Sequence, residues 1–146
     1  MSVNKYNSEG YYDPTAYEAL TIIDREISQR RYTRPRRYMP KVYICSPFRG
    51  DISNNVIKTR MYCSFAVKQG RIPFASHLLF PQFMSDSDPN ERNLALFMAL
   101  VYLDCCKECW VFGDTISEGM ENEIRYANRK NIPVRYFTED CTEVFQ

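Results

Sequence analysis

Apolar positions in this chain follow two different periods. Short, mostly apolar runs, VYIC over 42–45, CWVF over 109–112 and IPVRYF over 132–137, are separated by stretches in which apolar side chains return every three or four positions. The first kind predicts strands covered on both faces, the second helices with one inward stripe. In chain order, the pattern predicts a helix from Pro14 to about Ser28 (stripe Ala16, Leu20, Ile23, Ile27) and a strand over 41–45. A helix over about 53–69 follows, expected to bury Val56, Cys63 and Val67, and then a strand over 71–76 that Pro73 weakens. Residues 77–90 read as a long loop with exposed acids and buried aromatics, a length often tied to function. The next helix runs from Pro89 to about Cys106 through Leu94, Phe97, Leu100 and Val101. A strand over 109–112, a helix from about 117 to 130 with Met120, Ile124 and Ala127 inward, and a strand over 132–137 complete the pattern.

Punctuation agrees with these elements. Asp13-Pro14 and Asp88-Pro89 each place an acceptor at the N-cap and proline in the first turn, and Gly70 suits a helix C-terminus. The alternation of strands and helices implies a mostly parallel sheet with right-handed crossovers. The expected fold is a small flavodoxin-like, Rossmann-like α/β domain over 41–138 with helices on both faces. An N-terminal arm over 1–40, made of an amphipathic helix and an arginine-rich linker, precedes it, and 139–146 is expected as a tail. No G-x-G-x-x-G, Walker loop or internal repeat is present.

Composition narrows the function classes. At 146 residues and net charge +1, the chain gives no bulk electrostatic case for nucleic acid or an anionic membrane. No run approaches the ~20 apolar residues of a membrane span, and MSVNKYNSEG lacks the basic-then-apolar pattern of a secretory signal. A cytoplasmic protein is expected. Of the six cysteines, five lie in apolar segments, where a thiol behaves as a small hydrophobe. Cys106 and Cys109 form one C-x-x-C without a second pair, and His77 is the only histidine, so neither a metal nor another cofactor is expected. The segment QRRYTRPRRYMPK interleaves arginines with Tyr32 and Tyr38 and admits a nucleic-acid reading. A solvated linker containing Pro35 and Pro40 is the reading adopted.

Candidate chemistry gathers around WVFGDTISEGMENEIRYA, over 110–127. In an open α/β sheet ligands bind beyond the carboxyl ends of the strands, and a helix starting there offers free N–H groups to an anion. A nucleotide-sized ligand could meet Arg49 at a phosphate, the Ser117 hydroxyl, the helix N–H groups near Gly119 and Met120, and the Glu123 carboxylate. A carboxylate beside a sugar can attack an anomeric carbon, and Tyr43 in the first strand could hold it by a hydrogen bond. Each has a plainer role. Arg49 could pair with Asp51, Ser117 could be only an N-cap, and Glu121 and Glu123 could simply compensate the helix dipole. His77 could be a structural hydrogen-bonding group, and Asp114 with Gly113 opens the turn before the helix.

These segments, SPFRG, FASHLLFPQF, WVFGD and ISEGM-E-EI-YA, resemble the nucleoside 2-deoxyribosyltransferase superfamily and its relative, the 2′-deoxynucleoside 5′-monophosphate N-glycosidase. The likeness spans roughly 41–137 and extends to small bacterial and phage members. It implies that Glu123, followed by Ala127 on the same helix, is the nucleophile, and that Tyr43 orients it. Ser117 stands where the nucleotide enzyme carries a phosphate-binding serine and the nucleoside enzymes an aspartate. Ser46, Arg49 and Gly50 resemble the phosphate loop of the nucleotide enzyme. The resemblance further implies a homo-oligomer and a nucleotide-like small molecule as partner; no membrane is expected, from the charge and the lack of a long apolar run.

One departure stands out. The family's aspartate for the leaving base falls near Leu100 here, with Asp104 one turn later; Asp104, Glu91 or His77 are the candidate substitutes. Loss of a general acid costs about two to four orders of magnitude. Cleavage or transfer of a nucleoside 5′-monophosphate's N-glycosidic bond therefore stands beside non-catalytic nucleotide binding. A third reading has the N-terminal arm bind a partner or nucleic acid.

Overall fold

In the computed structural model of the chain, residues 14–32 and 38–145 are described, without side-chain detail at 14–16 and 27–32. Contacts divide the chain into a unit over 1–38 and a unit over 39–146. The first holds helix α1 (Pro14–Tyr32), which runs past the expected end at Ser28 and takes in the start of the arginine-rich segment. Residues 33–37, and the expected Asp13 cap, lie outside the described residues. Of the expected stripe, Leu20 and Ile23 are half-exposed, and Ala16 and Ile27 have no described side chains.

The second unit contains β1 (Lys41–Cys45), α2 (Ile52–Lys68), β2 (Ile72–Phe74), α3 (Ser76–Leu79), a 3-10 turn (Phe80–Gln82), α4 (Pro89–Asp104), β3 (Glu108–Phe112), α5 (Glu118–Arg129), β4 (Val134–Phe137) and β5 (Glu143–Val144). The sheet order is β2-β1-β3-β4-β5. The first four strands are parallel, with Tyr43 opposite Cys109 and Cys109 opposite Val134. Pro73 sits in the edge strand, where its missing N–H is tolerated.

Period-two alternation sorts the core into two layers. Tyr43, Cys45, Cys109 and Val111 face Ala99, Leu103, Met120, Ile124 and Ala127 from α4 and α5. Val42, Ile44, Trp110 and Phe112 face Tyr62 and Ala66 of α2. Tyr62 stacks on Phe112 with centroids 4.2 Å apart. Helices therefore cover both faces of a parallel sheet, as expected.

Four local expectations are corrected. The buried face of α2 is Thr59, Tyr62 and Ala66; Val67 is exposed, and Val56 and Cys63 are only partly covered. On α4 the inward residues are Ala99 and Leu103, whereas Leu94, Phe97 and Val101 are exposed and Leu100 packs at the margin of the core. That helix is apolar nearly all round, so spacing alone does not choose its inner face. The 77–90 loop begins with α3 and the 3-10 turn, which bury Phe80 but leave Phe83 exposed. The expected C-terminal tail contains β5, antiparallel to β4. It is held by a bidentate pair from Arg135 to Glu143 at 2.8 Å for both bonds, and Thr138 and Thr142 close the turn.

Candidate functional site

The chain leaves β1 towards β2 on one side and returns to β3 on the other. This makes the carboxyl ends of β1 and β3 the switch point of the sheet. A cleft of about 210 Å³ opens there, between the loop after β1, the start of α3, the first half of α4 and the first turn of α5.

Glu123 forms its floor. The residue is 7% exposed, and no cation pairs with its carboxylate among the described residues. Tyr43, fully buried in β1, donates its hydroxyl proton to Glu123 Oε1 at 2.6 Å. The Ser76 hydroxyl lies 3.3 Å from the same phenolic oxygen. A phenol has one proton, so this second contact uses the serine as donor. Burial pushes Glu123 up to about 7, and the hydrogen bonds from Tyr43 and the Cys45 thiol pull the other way. Burial, followed by the neighbouring Glu123 charge, holds the Tyr43 phenol well above its ordinary range, so it remains a donor.

Ser117 caps α5: its Oγ accepts from the Met120 N–H at 3.3 Å, and it lines the cleft together with Gly119 and Met120. The N-cap and cleft-lining positions therefore coincide in one residue. Glu121 points elsewhere and pairs with Arg125 at 3.7 Å, but Glu118 does line the cleft.

The loop after β1 is tied down from two sides. Asn55 of α2 donates to the carbonyls of Phe48 and Arg49 at 3.0 and 3.1 Å. His77 Nε2 lies 3.0 Å from the Ser46 carbonyl, which can only accept, so that nitrogen carries the proton. Its ring stacks on Phe48 with centroids 4.8 Å apart, and burial lowers its pKa, which favours the neutral imidazole. His77 thus lines the cleft while doing a structural task. Gly50, with φ of 94°, makes the turn out of this loop.

Some expected residues are not brought to the cleft wall. The Thr59 hydroxyl gives its proton to the Asn55 carbonyl at 2.7 Å, so Ser46 Oγ, 3.0 Å from Thr59, donates to it and is already engaged. Gly50 and Asp114 are also absent from the wall. Asp104 is at the far end of α4, where it accepts from the Tyr126 hydroxyl at 2.6 Å and lies 3.9 Å from Lys130. Glu91 accepts from the Ser85 N–H. Arg49 does line the cleft, but its partner is Asp86 at 3.2 Å. Asp51 instead caps α2 by accepting from the Asn54 N–H.

Sequence reasoning missed Ser76, Asp86, Arg92 and Glu118 as cleft residues. Ser76 lies within FASHLLFPQF and was accessible to it; Asp86 and Arg92 sit in a polar stretch with no signal of their own. Phe80, Met84, Ala95, Leu96 and Ala99 make an apolar wall suited to a planar ring. No group of three or more His, Cys, Asp or Glu side chains is placed to hold a metal ion among the described residues. No helix among them is long and apolar enough to cross a membrane.

A family model described as a domain of unknown function, DUF7768, matches residues 40–137. Among solved structures, the chain is similar to the 2-deoxyribosyltransferase of the psychrotolerant bacterium Bacillus psychrosaccharolyticus. The two are 16% identical, with a TM-score of 0.58 over 73% of this chain and 77% of that one. At that identity the likeness is one of fold. No curated protein sequence matches.

Proposed function

This chain belongs to the DUF7768 family, and we propose that its cleft acts on the N-glycosidic bond of a nucleoside 5′-monophosphate. The observation that carries this reading is the Glu123 carboxylate, buried with no counter-charge among the described residues on the floor of an open cleft and held by the Tyr43 hydroxyl at 2.6 Å. Burying an unpaired carboxylate is costly, and such groups gather where chemistry needs them.

In the proposed reaction, ionised Glu123 attacks the anomeric carbon. The bond from that carbon to the base nitrogen breaks, the electron pair leaves with the base, and a glycosyl ester of Glu123 remains. Water then opens the ester in hydrolysis, or a second base does so in transfer, and the carboxylate is restored. Tyr43 fixes which carboxylate oxygen is free to attack. Arg49, Ser117 and the Gly119 N–H at the start of α5 would hold the phosphate, Met120 would line the site with its own N–H given to the Ser117 cap, and the apolar wall would hold the base. The working domain in this reading is 41–138 with 1–40 as an accessory arm. A homo-oligomer is part of the proposal, and sedimentation of the full chain as a monomer would exclude it.

The test is incubation with ribo- and deoxynucleoside monophosphates, with free base read by chromatography. Base release that disappears in Glu123→Gln, with ligand binding retained, is the expected result. Turnover retained in that variant would overturn the nucleophile assignment.

One observation favours a second reading, nucleotide binding without chemistry. The face of α4 towards the cleft carries Ala95, Leu96 and Ala99, and Asp104 is engaged elsewhere. Ligand retained without base release over a long incubation would select that reading.

A further inference from the structure

Two arginines of the cleft share one carboxylate. Arg49, in the loop after β1, brings Nε and Nη2 to 3.3 and 3.2 Å from Asp86 Oδ2. Arg92, in the first turn of α4, brings Nε to 3.9 Å from Asp86 Oδ1. All three line the cleft whose wall also carries Ser117 and the start of α5. A carboxylate gripped by one guanidinium and approached by a second presents two anionic oxygens in a fork, an arrangement that the oxygens of a phosphate monoester also satisfy.

The arrangement is easily exchanged. The three side chains are 57%, 41% and 39% exposed for Arg49, Asp86 and Arg92, and ion pairs this open contribute little. The backbone on either side of Asp86 is anchored. Ser85 donates its N–H to Glu91, and the Asp88 side chain caps α4 by accepting from the Asn90 N–H at 2.8 Å. Releasing both arginines therefore requires only rotation of the Asp86 side chain.

We infer that Arg92 is a second phosphate-holding residue beside Arg49, and that Asp86 is an internal carboxylate competing with a ligand's phosphate for both. The inference rests on the reading of this cleft as a site for a phosphorylated nucleoside. It adds a selectivity device. A dianionic phosphate displaces Asp86 and gains two guanidinium groups, whereas a neutral 5′-hydroxyl cannot displace it and meets a closed ion pair.

The test is calorimetric titration of the full chain, wild type, Asp86→Asn and Arg92→Gln, with inorganic phosphate, with nucleoside 5′-monophosphates and with the matching nucleosides. Asp86→Asn is expected to bind phosphate and monophosphates about two- to five-fold tighter, the factor associated with no longer breaking an exposed pair. Nucleoside affinity should not change in that variant. Arg92→Gln should weaken the phosphorylated ligands by about five-fold or more, the loss of one charge-assisted contact. Phosphate affinities in both variants equal to wild type, or no phosphate binding by any of the three proteins, would overturn the inference. Base release from nucleotides alongside unmoved affinities would sink this inference and leave the glycosidic reading standing. Affinities that move as expected without any base release would do the reverse.

Discussion

The Tyr43 hydroxyl and Glu123 Oε1 meet at 2.6 Å across 80 positions of sequence. The contact joins the inner strand β1 to the second turn of α5, fixes the geometry of the cleft floor and bears on its protonation. Because the phenol donates to the ionised carboxylate, it lowers the Glu123 pKa against the larger upward push of burial. Removing the phenol must therefore raise that pKa further.

Tyr43→Phe keeps the ring in the core and deletes this donor. Hydrogen bonds to charged groups are worth about 1.5–3 kcal/mol, so turnover should fall by roughly ten- to a hundred-fold. The pH at which activity rises should move upward, since a larger share of Glu123 stays protonated. A pH–rate profile that keeps its position would show that Tyr43 is packing only.

The same burial makes stability depend on pH through Glu123. Its value is about 7 in the folded chain against an ordinary 4.5. Between these values the folded state holds a proton that the unfolded state has released, so stability falls as pH rises through the window. The full effect above it is about 3 kcal/mol. Glu123→Gln should therefore gain stability relative to wild type at pH 8 and show little gain at pH 4. Urea denaturation of both proteins at the two pH values measures this, and a difference that does not change with pH would contradict it.

Ser117 is an N-cap and a cleft residue at once, and one substitution separates the roles. Aspartate caps a helix as well as serine does, so Ser117→Asp should keep the thermal midpoint within a degree or two. Its carboxylate would repel a phosphate, and monophosphate affinity should drop by about ten-fold or more, while nucleoside affinity changes little. Equal losses for both ligands would mean that Ser117 does not face the phosphate.

How much of this was legible differs element by element. The strands of the sheet core and the inward stripe Met120, Ile124, Ala127 follow from spacing, and the structure buries all three residues. The apolar stripe of α2 is out of phase with its buried face because a polar residue, Thr59, lies on that face. Thr59 is satisfied there by the Asn55 carbonyl and Ser46, an arrangement that an apolar count does not register. On α4 the close approach to the sheet is made by small Ala99, and the larger Leu94 and Phe97 are left outside. Strand β5 has two residues, too few for any periodicity, and depends on Arg135 and Glu143 finding each other.

The sequence by itself determined the order of the four parallel strands and the longer helices, the α/β class and the types of residue available near the switch point. Local periodicity, caps and turn residues act over a few positions and are written directly in the chain. Tertiary structure alone decided that Arg49 pairs with Asp86 rather than Asp51, and that Ser46 is occupied by Thr59. It also decided that Asp104 lies with Tyr126 and Lys130, outside the cleft, and that Glu123 is buried enough to titrate near neutrality. Those outcomes depend on distances and desolvation between segments far apart in sequence, and both come into being only when the sheet brings the segments together.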